Sequence, residues 1–514
     1  MYDIQAISQI FYPNEKFTRV SDIQPAGVTI ITELAAGECR AILIIDGRQV
    51  ERQSLFSREY SNEYNIEQPL VQSKRASALP VLENDEENDD RKRPREMLSA
   101  GEGEYSLPGA DSEHSTRRGL MIALYIALNK YTGLNPPWGA LTGIRPSKMA
   151  RLMLDNGVDR AIIVRNLSAN YFTRPEKSEL AINVANAEQK LIAAQPKDAV
   201  SLYVGIPFCP SRCLYCSFAS YPVSPKTWEY VESLIKELDA VGELIKSNPI
   251  SSLYIGGGTP TSLPDDQFER LLSYLSARFK ASEFCVEAGR PDTVSRSKLL
   301  IMKRYGVNRI TLNPQTMNDA TLALIEREHG AEDITRAFCG ARECGFDNIN
   351  ADIILGLPGE TVAHVERTFD SLIKLDPENI TVHILTIKRA SRLRPTLNEY
   401  HIASVGELER MLDLSRQICM STGYMPYYMY RQKNMLGNFE NVGYSKPGRE
   451  GIYNVMMMEE TQSVWATGAG AVTKLVVGDK ISRVFNVKSL DDYIKRVDEM
   501  IGRKRIAYAN AARH

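Results

Sequence analysis

No stretch of the 514-residue chain reaches the roughly 18 consecutive apolar residues that a membrane-crossing helix needs. Neither sign of charge prevails: 62 Lys and Arg stand against 64 Asp and Glu, a formal net charge of −2. That balance removes the reason to expect nucleic acid or an anionic membrane as the main partner. The opening MYDIQAISQIFYPNEKF lacks the basic-then-apolar order of a secretory leader. The expected location is therefore the cytoplasm, where thiols stay reduced and structural disulfides are rare. The glycine-rich stretch GGGTPTS has no Lys-Ser/Thr after it, and no G-x-G-x-x-G occurs, so a nucleotide phosphate loop is not indicated. What remains is a globular composition, 43% hydrophobic and 25% charged, on a chain long enough for two or three domains.

Residues 1–75 read as a small β-rich or α+β module. In CRAILIIDGRQVERQ, Asp46-Gly47 separates two alternating apolar stretches, a hairpin signal. ENDEENDDRKRPRE, residues 83–96, is densely charged and carries no apolar residue, so 76–115 reads as a solvated, flexible linker. A helix from about Thr116 to Tyr131 opens a helical connecting region over 116–198. From 199 to 390 short apolar runs alternate with helical segments. Strands are expected at 201–206, 251–257, 283–289, 309–315, 348–356 and 379–387, and helices such as FERLLSYLSARF and HVERTFDSLIKL fill the gaps. Such alternation implies parallel βαβ units in an α/β fold. Six of them suit a partial TIM-like barrel, although a doubly wound sheet shares the local pattern. Residues 391–514 read as a mixed α+β extension.

Three of the eight cysteines fall within GIPFCPSRCLYCSF: Cys209, Cys213 and Cys216, spaced C-x3-C-x2-C directly after the first of these strands. An odd number does not suit a closed disulfide framework. Structural zinc takes four protein ligands, commonly as paired C-x2-C, and no His or Cys follows within the next sixty residues. Three thiolates match three corners of a four-iron cluster, leaving one iron open to an exogenous ligand. Zinc remains the rival. Cys285, Cys339, Cys344 and Cys419 are scattered and read as core or surface thiols.

In a βα barrel the chemistry gathers at the C-terminal ends of the strands. Gly256, Gly257 and Gly258 end the second strand, where they let backbone approach a ligand closely. Glu287 ends the third, Gln315 the fourth, and Asp352 lies on the fifth ahead of GLPGE. Each alone reads as a cap or surface residue; together they mark one end of one sheet.

The C-x3-C-x-aromatic-C motif in this position resembles the signature of radical S-adenosylmethionine (radical SAM) enzymes. The blocks YVGIPFC, GGGTPT, NPQTMN, ADIILGLPGE and GAGAVTK are similar to those of the oxygen-independent coproporphyrinogen III oxidase group. EAGRPDT and PWGALTGIRPSKM most resemble its coproporphyrinogen dehydrogenase branch, the HemZ type. The resemblance implies a radical SAM partial (β/α)6 barrel, a [4Fe–4S] cluster on Cys209, Cys213 and Cys216, and SAM on the open iron. It implies SAM contacts at Tyr203, Tyr215, Gly257, Gly258, Thr259, Glu287, Gln315, Arg327, Asp352 and Val472. It also implies a 5′-deoxyadenosyl radical that takes hydrogen from propionate β-carbons. Loss of CO2 and an electron would then convert two propionates of coproporphyrinogen III to the vinyl groups of protoporphyrinogen IX, in haem biosynthesis. Expected partners are that tetrapyrrole, a flavodoxin- or ferredoxin-type electron donor and an electron acceptor.

A substrate with four carboxylates calls for cations near the active end. KRASRLR, after the sixth strand, offers Lys388, Arg389, Arg392 and Arg394, with Arg290 and Lys474 as further candidates. Two departures bear on the substrate: better-known members carry His where Gly205 stands and a fourth Cys where Phe218 stands. Phe218 is shared with a sister branch that resembles haem chaperones. A haem-delivery protein without decarboxylase activity, with His383 as a conceivable iron ligand, is therefore one alternative. A radical SAM enzyme acting on another tetrapyrrole is the second.

Overall fold

In the computed structural model the described residues are 112–142, 145–388, 390–432, 436–478 and 480–511, with shorter stretches between residues 7 and 73. Most of the expected linker over 76–115, Asp46 and Gly47 of the expected hairpin turn, and Arg389 lie outside them. Two compact units result, Met1–Thr142 with Leu167–Arg174, and Gly143–Asn166 with Pro175–His514. The helical region 116–198, one segment in the sequence reading, is divided between them.

The first unit holds strands β1 (Phe17–Val20), β2 (Val28–Ala35), β3 (Glu38–Ile45), β4 (Arg48–Phe56), β5 (Ile66–Glu67) and β6 (Leu70–Ser73). They pair antiparallel in the order β1-β6-β2-β3-β4, with β5 beside β2. Ile45 stands opposite Arg48. The helix Ser112–Thr132 buries Ala123, Leu124, Ala127 and Leu128 in one cluster with Ile30 and Leu43.

The second unit is organised by a sheet of eleven strands. β7 (Val200–Ile206), β8 (Ile250–Gly257), β9 (Ala281–Gly289), β10 (Arg309–Gln315), β11 (Ile349–Leu355) and β12 (Asn379–Ile384) run parallel as sequential neighbours. These are the six strands expected from the sequence. Helices between them, such as Lys226–Leu244 and Val362–Leu375, place buried residues at three- and four-residue spacing. The strands are buried on both faces, as in β7, where only Tyr203 is partly open.

The C-terminal region continues the same sheet on both sides. β13 (Met425–Tyr430) and β14 (Asn441–Ser445) add antiparallel beyond β12. β15 (Val464–Thr467) lies parallel to β7, followed by antiparallel β16 (Val472–Val477) and β17 (Lys480–Phe485). The order β13-β14-β12-β11-β10-β9-β8-β7-β15-β16-β17 leaves the sheet open: a partial radical SAM-type barrel in an α/β fold, without closure between β7 and β12. Among the described residues no helix is long and apolar enough to cross a membrane.

A buried polar cluster ties the C-terminal helix Val497–Ala511 to this scaffold. Glu237 is fully buried on the inward face of the helix Lys226–Leu244. Its Oε1 accepts from Lys504 Nζ at 2.6 Å and Asn486 Nδ2 at 2.9 Å. Its Oε2 accepts from Tyr493 Oη at 2.6 Å and the Gly468 amide at 2.8 Å. All four acceptor positions are filled, which is what makes a buried carboxylate tolerable. Lys504→Ala would leave that charge without its counter-ion. It is expected to cost about 3 kcal/mol of stability, read as a lower unfolding midpoint in urea, with Lys504→Met/Glu237→Leu recovering most of it.

Candidate functional site

A cavity of about 350 Å³ lies at the C-terminal ends of the parallel strands, where the sequence placed the chemistry. Cys209, Cys213 and Cys216 all line it. Among the described residues no three His, Cys, Asp or Glu side chains converge as the ligands of a single ion do.

The loop that carries the thiols is built into the sheet. Gly258 N donates to Ile206 O and Thr259 N to Phe208 O, each at 2.7 Å, so the end of β8 runs along the start of the cysteine loop. A Cβ on Gly258 would sit 2.6 Å from Phe208 O and 3.0 Å from Cys209 Sγ. Gly257, at φ +119°, would place one 2.9 Å from Ile206 O. The glycines thus allow loop and strand to approach each other, beside the close approach to a ligand expected from the sequence. Thr259 Oγ1 lies 3.4 Å from Cys209 Sγ.

Two arginines clamp the loop, one directly after β9 and one after the helix Asp319–Leu324. Arg290, after β9, donates from Nη1 to Ser211 Oγ at 2.6 Å and is fixed by Asp292 at 2.9 Å. Arg327 donates from Nη1 to Tyr215 Oη at 3.2 Å, from Nη2 to Asn313 O at 2.7 Å and from Nε to His329 Nε2 at 3.2 Å. His329 Nδ1 lies 3.2 Å from Asp292 Oδ1, so the two clamps join. Burial and its cationic neighbours hold His329 below its ordinary range. Burial opposes ionisation of Asp292, but His329 and Arg290 outweigh it and hold that carboxyl well below the usual range. Arg327 is itself buried, and among the described residues no carboxylate lies within ion-pair distance of it.

The remaining predicted contacts gather on the same wall. Glu287 Oε1 accepts from Asn313 Nδ2 at 3.2 Å, and Tyr254 Oη lies 3.5 Å from its Oε2. Burial, then the charge of Asp352, raise Glu287 to about 8. Burial acts the same way on Asp352, yet the His383 and Asn350 side chains more than offset it and keep this carboxyl low. Gln315 adopts φ +67°, the left-handed region that non-glycine residues avoid, at an irregularity of the β10–β11 pairing. Its Oε1 and Asn313 Oδ1 are buried acceptors with no hydrogen-bond partner. Backbone strain and orphaned acceptors at a cavity wall point to a bound ligand.

Of the predicted SAM contacts, Tyr215, Gly257, Gly258, Thr259, Glu287, Gln315, Arg327 and Asp352 line the cavity. Tyr203 lies beneath, stacked with Tyr254 and Tyr453 at centroid distances of 6.2 Å. Val472 opens β16 opposite Phe485 and is not a lining residue. Among the substrate candidates, Lys388 stands at the cavity with its Nζ 5.8 Å from the Phe218 ring, which is 63% exposed. Arg392 is engaged by Glu326 and Arg212 O in a neighbouring cleft. Arg290 is taken by its clamp, and Lys474 pairs with Glu460 at 3.0 Å. His383, named from the sequence as a conceivable iron ligand, lines the cavity, as do Asn313, Arg212 and Tyr430, which sequence reasoning did not select. None of Cys285, Cys339, Cys344 and Cys419 does.

Gly258→Ala is expected to displace the cysteine loop and lose most of the iron retained after reconstitution. Gly406→Ala, with open space around its Cβ, is expected to retain it; equal iron in both variants would contradict the packing argument. A second expectation concerns pH. With Glu287 near 8 when folded against 4.5 otherwise, folding takes up a proton between those values, so stability falls as pH rises through that window. Glu188, lifted by burial to about 9, acts in the same direction. Urea unfolding of the ligand-free protein from pH 5 to 8 is expected to show this slope, with Glu287→Gln removing its share.

An acidic floor, orphaned acceptors and one unpaired buried guanidinium suit a ligand with an amine, hydroxyls and a carboxylate, next to three thiols that can hold a cluster. Comparison with known proteins agrees. Residues 203–372 match the family model of the radical SAM superfamily. The chain is 37% identical over 399 residues to the oxygen-independent coproporphyrinogen-III oxidase-like protein HemZ of Bacillus subtilis, covering 74% of this chain and 79% of that one. It is 32% identical over 306 residues to the heme chaperone HemW of the same organism, covering 58% and 76%. It is 26% identical over 319 residues to the oxygen-independent coproporphyrinogen III oxidase of Salmonella typhimurium, covering 60% and 67%. The solved coproporphyrinogen III oxidase HemN of Escherichia coli superposes with a TM-score of 0.47 at 25% identity, over 62% of this chain and 73% of that one. Thiol loop, acidic floor and sequence kinship lead to one assignment: the chain belongs to the radical SAM superfamily, among the proteins like oxygen-independent coproporphyrinogen III oxidase, and its cofactors are a [4Fe–4S] cluster and SAM.

Proposed function

We propose that the chain is a radical SAM oxidoreductase that decarboxylates two propionates of coproporphyrinogen III to vinyl groups without oxygen, yielding protoporphyrinogen IX in haem biosynthesis. In this reading Cys209, Cys213 and Cys216 hold the cluster. Arg327 pairs with the SAM carboxylate, while Glu287 and Asp352 receive its amine and ribose hydroxyls. When bound, cluster and SAM supply the one-electron chemistry that removes a hydrogen atom from a propionate β-carbon. The carboxylate of that propionate would then leave as CO2, one electron would pass to an acceptor, and the two remaining carbons would form the vinyl group. A flavodoxin- or ferredoxin-type protein is the proposed electron donor.

The observation that carries the substrate reading is Lys388. Among the described cations at the cavity it is an exposed lysine with no carboxylate partner, poised over an exposed aromatic ring. A propionate-bearing macrocycle offers both an anion for the lysine and a face for Phe218. Haem delivery is the second reading, favoured by the likeness to a heme chaperone and by His383 facing the cavity. Against it, His383 Nδ1 is taken by Tyr430 at 3.1 Å and Nε2 is 3.8 Å from Asp352, so ligating iron would cost existing contacts.

The test is anaerobic. Protein reconstituted with iron and sulfide, reduced with dithionite and given SAM is assayed for 5′-deoxyadenosine with and without coproporphyrinogen III. Stimulated cleavage with protoporphyrinogen formed is expected, and Cys213→Ala should abolish it. Lys388→Ala is expected to raise the apparent KM about tenfold, the worth of a charged hydrogen bond, with SAM cleavage retained. Unstimulated cleavage without porphyrin product, together with haem binding lost in His383→Ala, would transfer the assignment to haem handling.

A further inference from the structure

Asp352 stands in a thin partition. Together with His383 and Tyr430 it lines both the site cavity and a second cavity of about 190 Å³ inside the sheet. A carboxylate so placed has room on two sides, and only its hydrogen-bond partners decide which side it serves. Freezing such a side chain costs conformational entropy at binding unless it is already held.

Two chains of polar groups flank it, one hydrogen-bonded to Oδ1 and one facing Oδ2 at 3.8 Å. Oδ1 accepts from Asn350 Nδ2 at 2.7 Å. Asn350 Oδ1 accepts from Thr381 Oγ1 at 3.1 Å, and Thr381 Oγ1 from Tyr428 Oη at 3.4 Å. Oδ2 faces His383 Nε2 at 3.8 Å, and His383 Nδ1 meets Tyr430 Oη at 3.1 Å. A Tyr430 hydroxyl that donates to Nδ1 would place the ring proton on Nε2, on the side of the carboxylate. Both chains end on β13, where Tyr428 and Tyr430 sit two residues apart with near-parallel rings. β13 is separated from β11 by β12 and β14 in the sheet, so these side chains reach across the barrel interior.

We propose that His383 and Tyr430 are positioning residues that aim the Asp352 carboxylate into the cofactor cavity, making the C-terminal strand β13 part of the SAM site. The inference rests on Asp352 touching SAM, as set out above, and holds whichever tetrapyrrole is the substrate. The other groups facing Asp352 are Thr381 on β12, Glu287 on β9, Tyr254 on β8 and the two tyrosines of β13. None of them takes the place of His383 on Oδ2.

The experiment is anaerobic equilibrium dialysis of SAM against cluster-loaded wild type, Asp352→Asn, His383→Ala, His383→Gln and Tyr430→Phe, with iron content and melting temperature measured on each. Asp352→Asn is expected to weaken binding most. His383→Ala should weaken it about tenfold, as loss of an orienting partner does, and Tyr430→Phe about threefold. His383→Gln, whose amide can donate near the Nε2 position, should recover most of the loss. Removing His383 also lets the Asp352 carboxyl rise, so His383→Ala should lose further affinity as pH falls from 7 to 5.5, relative to wild type. Unchanged affinity in His383→Ala beside a weakened Asp352→Asn would overturn the positioning role. So would equal losses in His383→Ala and His383→Gln with a lowered melting temperature and no change in pH profile. Normal binding by Asp352→Asn would remove the contact itself, and the inference with it.

Discussion

Everything at the active end depends on holding a short, polar, cysteine-bearing loop still against a sheet edge. Phe208 and Leu214 anchor it by burial, but that packing does not fix its polar stretch. Two guanidinium groups do: Arg290 reaches Ser211 on one side and Arg327 reaches Tyr215 on the other. Each is buried, and a buried cation is tolerable only when its donors are met. Asp292 and His329 complete the circuit by joining the two arginines. The charge is not shared evenly. Arg290 has its carboxylate within the protein, while Arg327 is surrounded by neutral acceptors. One arginine is structural by its pairing; the other keeps an unspent charge facing the cavity.

The same logic separates the two carboxylates of the floor. Glu287 and Asp352 both suffer burial, and they disfavour each other's ionisation. Asp352 has His383 and Asn350 beside it and stays ionised; Glu287 has a phenol and an amide, and is raised. Two acids of similar chemistry are thereby driven apart by their neighbours. A cationic ligand arriving between them meets one fixed charge and one proton that can be released.

Much of this was legible beforehand. The six parallel strands and the cysteine loop follow from local pattern, because a βαβ unit announces itself in consecutive residues. The strand-end rule placed Glu287, Gln315 and Asp352 correctly at one cavity. What local pattern does not carry is partnership over distance. Val464 pairs with Ser201 and Val442 with Val382, across gaps that no hydrophobic period records, so the C-terminal extension was read as a tail when it supplies five strands of the same sheet. His383 was singled out only as a conceivable iron ligand, and its place beside Asp352 was missed for a related reason. Strands buried on both faces show no alternation between core and cavity, and a lone histidine there looks like core. A finer signal was present: Asn350 and Asp352, Thr381 and His383, and Tyr428 and Tyr430 are polar pairs two residues apart, which a strand turns to one face.

That parity explains the interior of the sheet. Inward positions from β7 to β13 carry Tyr203, Tyr254, Glu287, Asn313, Asp352, His383 and Tyr430, where a barrel of this kind built for stability alone would carry branched aliphatic side chains. The tyrosines stack on one another, Tyr254 on Tyr453 at 4.4 Å, and so fill volume while Tyr254 and Tyr430 turn hydroxyls toward Glu287 and His383. Local rules for a stable core are broken over consecutive strands, and the polar side chains continue below the cavity as the Arg309–Glu283 pair and the Ser201–Ser252–Gln462 cluster. Such a concentrated departure is what a site imposes on a fold. The floor is polar because it must present fixed charges to a ligand, and aromatic because those charges must not move.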